Sequence, residues 1–307
     1  MSPREKAMLL VGCESLVSKD SLTVYVPGAA GYTKSFPQYG IPSTVMADGP
    51  VGVRIFPIKV DGKRHYCTCF PSSTLLASTW DTQLVETQAG AMGEEAAVYD
   101  VDVILTPGIN IMRNPLCGRN FEYFSEDPVL SGLMGAAMVN GVQSRGIGTS
   151  LKHFVANNQQ VNKLNNDSRI PVKALREIYL KGFEIAVKES HPGAVMSSYN
   201  KVNGKYVNNS YRLLTQVLRN EWGFDGLVMT DWFATGRKYG DPAHAIASGN
   251  DLIMPGSSGS VDDIVKAVSK GIILEEDIKR SAANVLKGII SSRIYQGFLR
   301  KQRENGI

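Results

Sequence analysis

The sequence predicts an α/β fold, a (β/α)8 TIM-type barrel in modified or incomplete form. Three features predict it. Seven short apolar runs each close on polar residues or glycine. Amphipathic stretches with recognisable helix starts lie between them. The runs are largely continuous in apolar character rather than alternating, as in strands covered on both faces, which implies parallel pairing through crossover helices. Such a barrel typically takes about 250 residues. The chain has 307, with no low-complexity linker or shift in composition, so a single barrel domain over residues 1–307 is expected.

In chain order the strand candidates are STVMADGP (43–50), STLLASTW (73–80), VDVILTPGIN (101–110), GTSLKHF (148–154), AVMSSYN (194–200), DGLVMTDW (225–232) and NDLIMPGS (250–257). Each is too short for an ordinary helix. Seven is one short of a full barrel, and the first 40 residues read irregularly. WDTQLVETQAGAMGEEAAVYD (80–100) is one long candidate helix. A second covers 172–190, where Leu175, Ile178, Phe183 and Ala186 recur near the helical period. Asp127-Pro128 and Asp241-Pro242 each put a capping residue before a proline at the first helical position. Residues 272–303 read as closing helices of the same domain.

Hydrophobic residues make up 43% and charged residues 20%, the profile of a soluble globular protein. A net charge of +4, from 33 basic and 29 acidic residues, is too small for a nucleic-acid surface. No run approaches the length of a membrane span. The opening MSPREKAMLLVG is charged at once and lacks the apolar core and cleavage site of a signal peptide, so a cytoplasmic location is expected. Cys67 and Cys69 form a lone C-x-C with no second pair at zinc spacing, and Cys13 and Cys117 stand apart. Reduced thiols and no metal are expected.

In barrels of this kind the active site is built at the carboxyl ends of the strands. Those ends carry Asp48, Asn110, Lys152 with His153, Tyr199 with Asn200, and Asp231 with Trp232. Any one alone reads as a capping or solvated residue. Together they point to one mouth. In GFDGLVMTDWFATG (223–236) the run Leu227-Val228-Met229 stops at Asp231, beside an indole suited to a sugar ring. Asp231 can act there as nucleophile or base, or cap a following helix. Lys152 and His153 can hydrogen-bond a polyol; alternatively a desolvated Lys152 can form a Schiff base.

The blocks ADGPVGVR (47–54), FPSSTLLASTWD (70–81), NPLCGRNFEYFSEDP (114–128), LKHFVANNQ (151–159), ALREIYLKGFE (174–184), MSSYNKVNG (196–204), GFDGLVMTDW (223–232) and GNDLIMPG (249–256) follow one another in order. Over nearly its whole length the chain resembles glycoside hydrolase family 3, in the β-glucosidase and β-xylosidase branch. The resemblance implies that Asp231 is the nucleophile and that Asp48 accepts hydrogen bonds from hydroxyls on the far side of the glycosyl ring. It implies that Arg119, Lys152 and His153 grip the same ring, that Met196 and Tyr199 line the pocket around the nucleophile, and that Trp232 walls it. It also implies hydrolysis with retention, in which one carboxylate attacks the anomeric carbon and a second carboxylic acid protonates the leaving oxygen. No metal or cofactor is required.

Three positions depart from the family pattern. Lys163 stands where arginine is usual, Gln160 where glutamate is common, and Met112 where a polar residue usually precedes Arg113. A lysine lacks the planar fork of arginine, which bears on substrate affinity. The branch's acid/base glutamate lies on an α/β sandwich domain that follows the barrel, and nothing in these residues resembles it. The histidine loop K-H-F-P-G-H-G of the N-acetylglucosaminidase branch is replaced here by KHFVANNQQ. The expected function is that of a retaining β-glycosidase barrel acting on β-glucosides, its proton donor supplied by a sandwich domain in the same or a partner chain. Two other readings stay open: a sugar-binding barrel without turnover, and a Schiff-base lyase using Lys152.

Overall fold

The computed structural model describes residues 1–14, 20, 22–60, 62–236 and 239–304. Six strands form one sheet in the order Gly31–Tyr32, Val45–Asp48, Val103–Leu105, Gly148–Phe154, Ala194–Ser197 and Leu227–Thr230. The first pair is antiparallel and the other four junctions are parallel. Isolated bridges extend the pairing past both edges. Met229 pairs with Leu252 and Val11 with Ile253, both parallel, and Cys13 pairs antiparallel with Tyr32. Gly12 N–H donates to Ile253 O at 3.0 Å, and Cys13 and Tyr32 exchange backbone bonds of 2.9 and 2.8 Å. The result is an α/β fold on a curled, mixed sheet; eight regular parallel strands are not present among the described residues.

Two of the seven strand expectations fail. STLLASTW contains a helix, Ser73–Ala77, not a strand. Ser72 caps it by accepting from Leu75 N, and Leu76 is buried while Leu75 is 59% exposed. A short apolar run fits either period, and here the cap decides for the helix. NDLIMPGS contributes only the bridging residues Leu252 and Ile253. The other five runs contain the strands expected of them.

The expected helices form at 82–98, 128–143, 242–248, 275–291 and 293–304. Asp81, Asp127 and Asp241 cap the first three with their side chains. Residues 172–190 are helical with a π-helical stretch at Leu175–Tyr179. Helix 128–143 is buried nearly all round, against helices 82–98 and 181–190. Its glycines allow that approach: a Cβ on Gly141 would lie 2.2 Å from Glu86 O. No helix among the described residues is long and apolar enough to cross a membrane.

A buried carboxylate ties the bridging segment to its surroundings. Asp251 Oδ2 accepts from Arg219 at 2.6 Å and from Val228 N at 2.8 Å, and Oδ1 accepts from Asn284 at 2.9 Å. Removing one partner of a buried pair leaves the other charge uncompensated, at a cost of about 3–5 kcal/mol. Asp251→Ala should therefore lower unfolding stability by about that amount in urea denaturation. A loss within the range of an exposed pair, about 1 kcal/mol or less, would contradict the assignment.

Candidate active site

A single cleft of about 680 Å³ is lined by all eight residues expected at the site: Asp48, Arg119, Lys152, His153, Met196, Tyr199, Asp231 and Trp232. Asp48 ends strand 45–48, Lys152 and His153 lie near the end of strand 148–154, and Asp231 and Trp232 follow strand 227–230. The pairing of strand 148–154 shifts register between Leu151 and Phe154. Such an irregularity re-aims side chains, and consecutive residues 152 and 153 both line the cleft.

Asp231 is 5% exposed. Its Oδ1 accepts from Trp232 N at 2.7 Å, while Oδ2 is buried with no hydrogen-bond partner of normal geometry. His153 Nε2 lies 3.7 Å from Oδ2, and the Tyr199 hydroxyl stands against the carboxyl. The following helix starts at Pro242 under its own cap, Asp241, so Asp231 is not a helix cap. Burial raises its pKa, against the opposing pull of Arg119, the Trp232 amide, Lys152 and the Tyr199 hydroxyl.

Lys152, buried to 2% exposure, sits between two carboxylates, 2.9 Å from Asp48 Oδ1 and 3.5 Å from Glu122 Oε2. Both contacts engage its Nζ, which is therefore not open to a carbonyl carbon. The geometry therefore disfavours the Schiff-base reading. Burial pulls the Asp48 pKa up, but Lys152, Arg119 and Arg54 outweigh it and the net shift is downward. Arg119 Nε donates to Glu122 Oε1 and its Nη2 lies 2.7 Å from His153 Nε2.

His153 is held on every side. Asn110 clasps its backbone with two bonds of 3.0 Å, through Oδ1 and Nδ2. Arginine can only donate, so His153 Nε2 accepts and the ring proton sits on Nδ1, facing the Tyr123 hydroxyl at 3.2 Å. Tyr123 in turn donates to Asn157 O at 3.3 Å. Burial, then Arg119, Lys152 and Lys163, lower the His153 pKa well below its usual value, so the ring is neutral.

Trp232 is fixed by its indole N–H, which donates to Ala30 O at 2.8 Å. Met196, 2% exposed, and Tyr199, 8% exposed, complete the wall around Asp231. Asn110 and Asn200 do not line the cleft. Asn200 instead bonds the backbone of Val155 and Lys201. Sequence reasoning missed Glu122 and Tyr123. Both lie in the NPLCGRNFEYFSEDP block, where Arg119 and Glu122 are spaced to meet on the short helical turn Asn120–Glu122. Lys163, noted only as a departure, lines the cleft with its ammonium 4.2 Å from the centre of the Tyr199 ring. The four cysteines are free thiols, and burial pushes the Cys67 pKa up to about 11.

The cleft thus holds a buried, half-satisfied carboxylate near fixed cations, beside an indole and a phenol. Residues 40–287 match the model of the glycosyl hydrolase family 3 N-terminal domain, and the chain belongs to that family. It is 46% identical over 263 residues to thermostable β-glucosidase B of Acetivibrio thermocellus, covering 84% of this chain and 34% of that protein. It is 43% identical to an exo-α-(1→6)-L-arabinopyranosidase of Bifidobacterium longum, covering 91% and 37%. The solved structure of β-glucosidase 3B from Thermotoga neapolitana with glucose aligns with a TM-score of 0.91 at 46% identity, covering 97% of this chain and 42% of that one. The chain thus spans about a third of the length of the curated relatives it matches.

The raised pKa of Asp231 has a sign that can be checked. A carboxyl that holds its proton more tightly folded than unfolded loses stability as pH rises through its unfolded value toward its folded one. Asp231→Asn removes that penalty and keeps the acceptor for the Trp232 amide. The variant should melt higher than wild type at pH 7, with the gain shrinking as the pH falls toward 4. A lower melting temperature at pH 7 would contradict the burial account.

Proposed function

We propose that this chain forms the nucleophile half of a retaining β-glucosidase, with its curled sheet and edge bridges acting as a modified (β/α)8 barrel. The observation that carries the reading is the unbonded Oδ2 of Asp231, buried in the cleft beside Arg119 and His153. In this reading Oδ2 attacks the anomeric carbon of a bound glucosyl ring as the bond to the leaving oxygen breaks. The Trp232 amide holds Oδ1 and so fixes the carboxyl plane. Asp48, kept ionised by Lys152, accepts from hydroxyls across the ring, and Trp232 offers it an apolar face. Water then attacks the same anomeric carbon, giving its proton to the conjugate base of the group that protonated the leaving oxygen, and frees Asp231 with net retention.

The leaving oxygen needs a proton, and the lining carboxylates offer a poor source. Asp48 is tied to Lys152, and Glu14 stands on the exposed rim. We assign the proton donor to the α/β sandwich domain of a longer chain or a partner. The length of the relatives beyond the matched region is in keeping with this. A general acid typically contributes about 10²–10⁴-fold, and matters most for a poor leaving group. The 307-residue chain alone should therefore be nearly inert toward cellobiose yet release dinitrophenol slowly from a dinitrophenyl β-glucoside. Supplying the sandwich domain, fused or as a second chain, should restore cellobiose cleavage. Brisk cellobiose hydrolysis by the chain alone would overturn this assignment and point to a donor within the barrel, with Glu14 the first to replace. Glucose binding without release of dinitrophenol would favour the sugar-binding reading.

A further inference from the structure

We propose that Glu122 is a positioning residue for the attack by Asp231: its carboxylate holds the Arg119 guanidinium and thereby leaves Oδ2 of the nucleophile free. The inference rests on the reading of Asp231 as nucleophile. Glu122 is 3% exposed and does not line the cleft, so it reaches the reaction through other side chains and not through the sugar. Its Oε1 accepts from Arg119 Nε, and its Oε2 faces Lys152 at 3.5 Å without a hydrogen bond of its own. Lys152 has a second carboxylate in Asp48, at 2.9 Å. Arg119 pairs with Glu122 alone among the described residues, and its Nη2 meets His153 Nε2 at 2.7 Å.

That same His153 nitrogen lies 3.7 Å from the unbonded Oδ2 of Asp231. Guanidinium and nucleophile are therefore neighbours across one imidazole atom, without an ion pair between them. A hydrogen bond to a charged acceptor is roughly twice as strong as one to a neutral acceptor. Glu122 offers Arg119 the charged acceptor and His153, held neutral, a weaker one. If Glu122 loses its charge, Asp231 becomes the charged acceptor beside the guanidinium. The turn that carries the pair does not depend on it. Glu122 N–H donates to Arg119 O and Tyr123 N–H to Asn120 O, each at 3.1 Å. Thr74 Oγ1 braces the same turn, 3.1 Å from Asn120 O and 3.2 Å from Tyr123 O. Loss of the carboxylate thus frees Arg119 while the backbone around it keeps its bonds.

The test is the burst of dinitrophenol from a saturating dinitrophenyl fluoroglucoside, which needs no proton donor and reports the attack by Asp231. Glu122→Gln keeps the volume and removes the charge. Its burst rate should fall about 10–100-fold, the worth of one hydrogen bond to a charged group. In an Arg119→Met background the same substitution should leave the burst rate unchanged. A crystal structure of Glu122→Gln should show the guanidinium bonded to Asp231 Oδ2; a guanidinium still clear of Asp231 would overturn the proposal. An equal loss in both backgrounds would also overturn it, since Glu122 would not then act through Arg119. The same holds for a downward move of the acid limb with an unchanged plateau rate, which marks a bare charge effect. A lower melting temperature with an unchanged burst marks a structural residue and is equally fatal. If wild type gives no burst, the nucleophile reading falls, and the crystal structure still decides where Arg119 goes. If Glu122→Gln does not fold, wild-type crystals at pH 8 decide. Arg119 on Glu122 supports the proposal there, and Arg119 bonded to Asp231 with Glu122 in place overturns it.

Discussion

Two cations, Arg119 and Lys152, face three carboxylates at the floor of one cleft, and the state of the site depends on how that charge is shared. Glu122 is the arbiter. Buried to 3% exposure, it takes Arg119 on one oxygen and approaches Lys152 with the other, 3.5 Å away. Asp48 takes the remaining face of Lys152 at 2.9 Å. Asp231 is left with the field of the cations but no direct ion pair to either. Without Glu122, Arg119 would be free to pair with Asp231 and to engage the oxygen that is now unbonded. A buried charge network contributes little to stability in general because desolvation offsets attraction. Here its effect is to leave one oxygen of one carboxylate available.

The fold supplies that arrangement from distant parts of the chain. Asp48, Lys152 and Asp231 sit at the ends of strands from one sheet, held in register by backbone hydrogen bonds rather than by their own side chains. Neighbouring polar groups then remove the remaining freedom. Asn110 clasps the His153 backbone, the Tyr123 hydroxyl oxygen accepts from its ring N–H, and the Trp232 indole N–H donates to Ala30 O. Substrate-independent fixation of this kind lowers the reorganisation that charge development would otherwise demand.

How much of this was legible in the sequence follows from the range of each interaction. A continuous apolar run that stops on a carboxylate is a local pattern, and Asp48 and Asp231 were readable from it. The helix caps at Asp127 and Asp241 are local too. STLLASTW was misread because an apolar run of that length suits both periods, and Ser72 outside the run decided the outcome. The segments around Val11 and Leu252 join the sheet through single bridges, which leave no periodic trace. Glu122 and Tyr123 act only through partners brought close by folding, Lys152 and His153. Lys163 could be flagged as unusual, but its contact with Tyr199 spans a loop and a helix that no spacing rule connects.

The central claim is that Asp231 Oδ2 forms the bond to the sugar. It is tested most directly by treating the chain with a dinitrophenyl fluoroglucoside, digesting the quenched protein and sequencing the labelled peptide by mass spectrometry. One fluoroglucosyl group on Asp231, absent from Asp231→Asn, is the predicted result. Label on Asp48, Glu14 or Lys152 instead, with Asp231 unmodified, would contradict it.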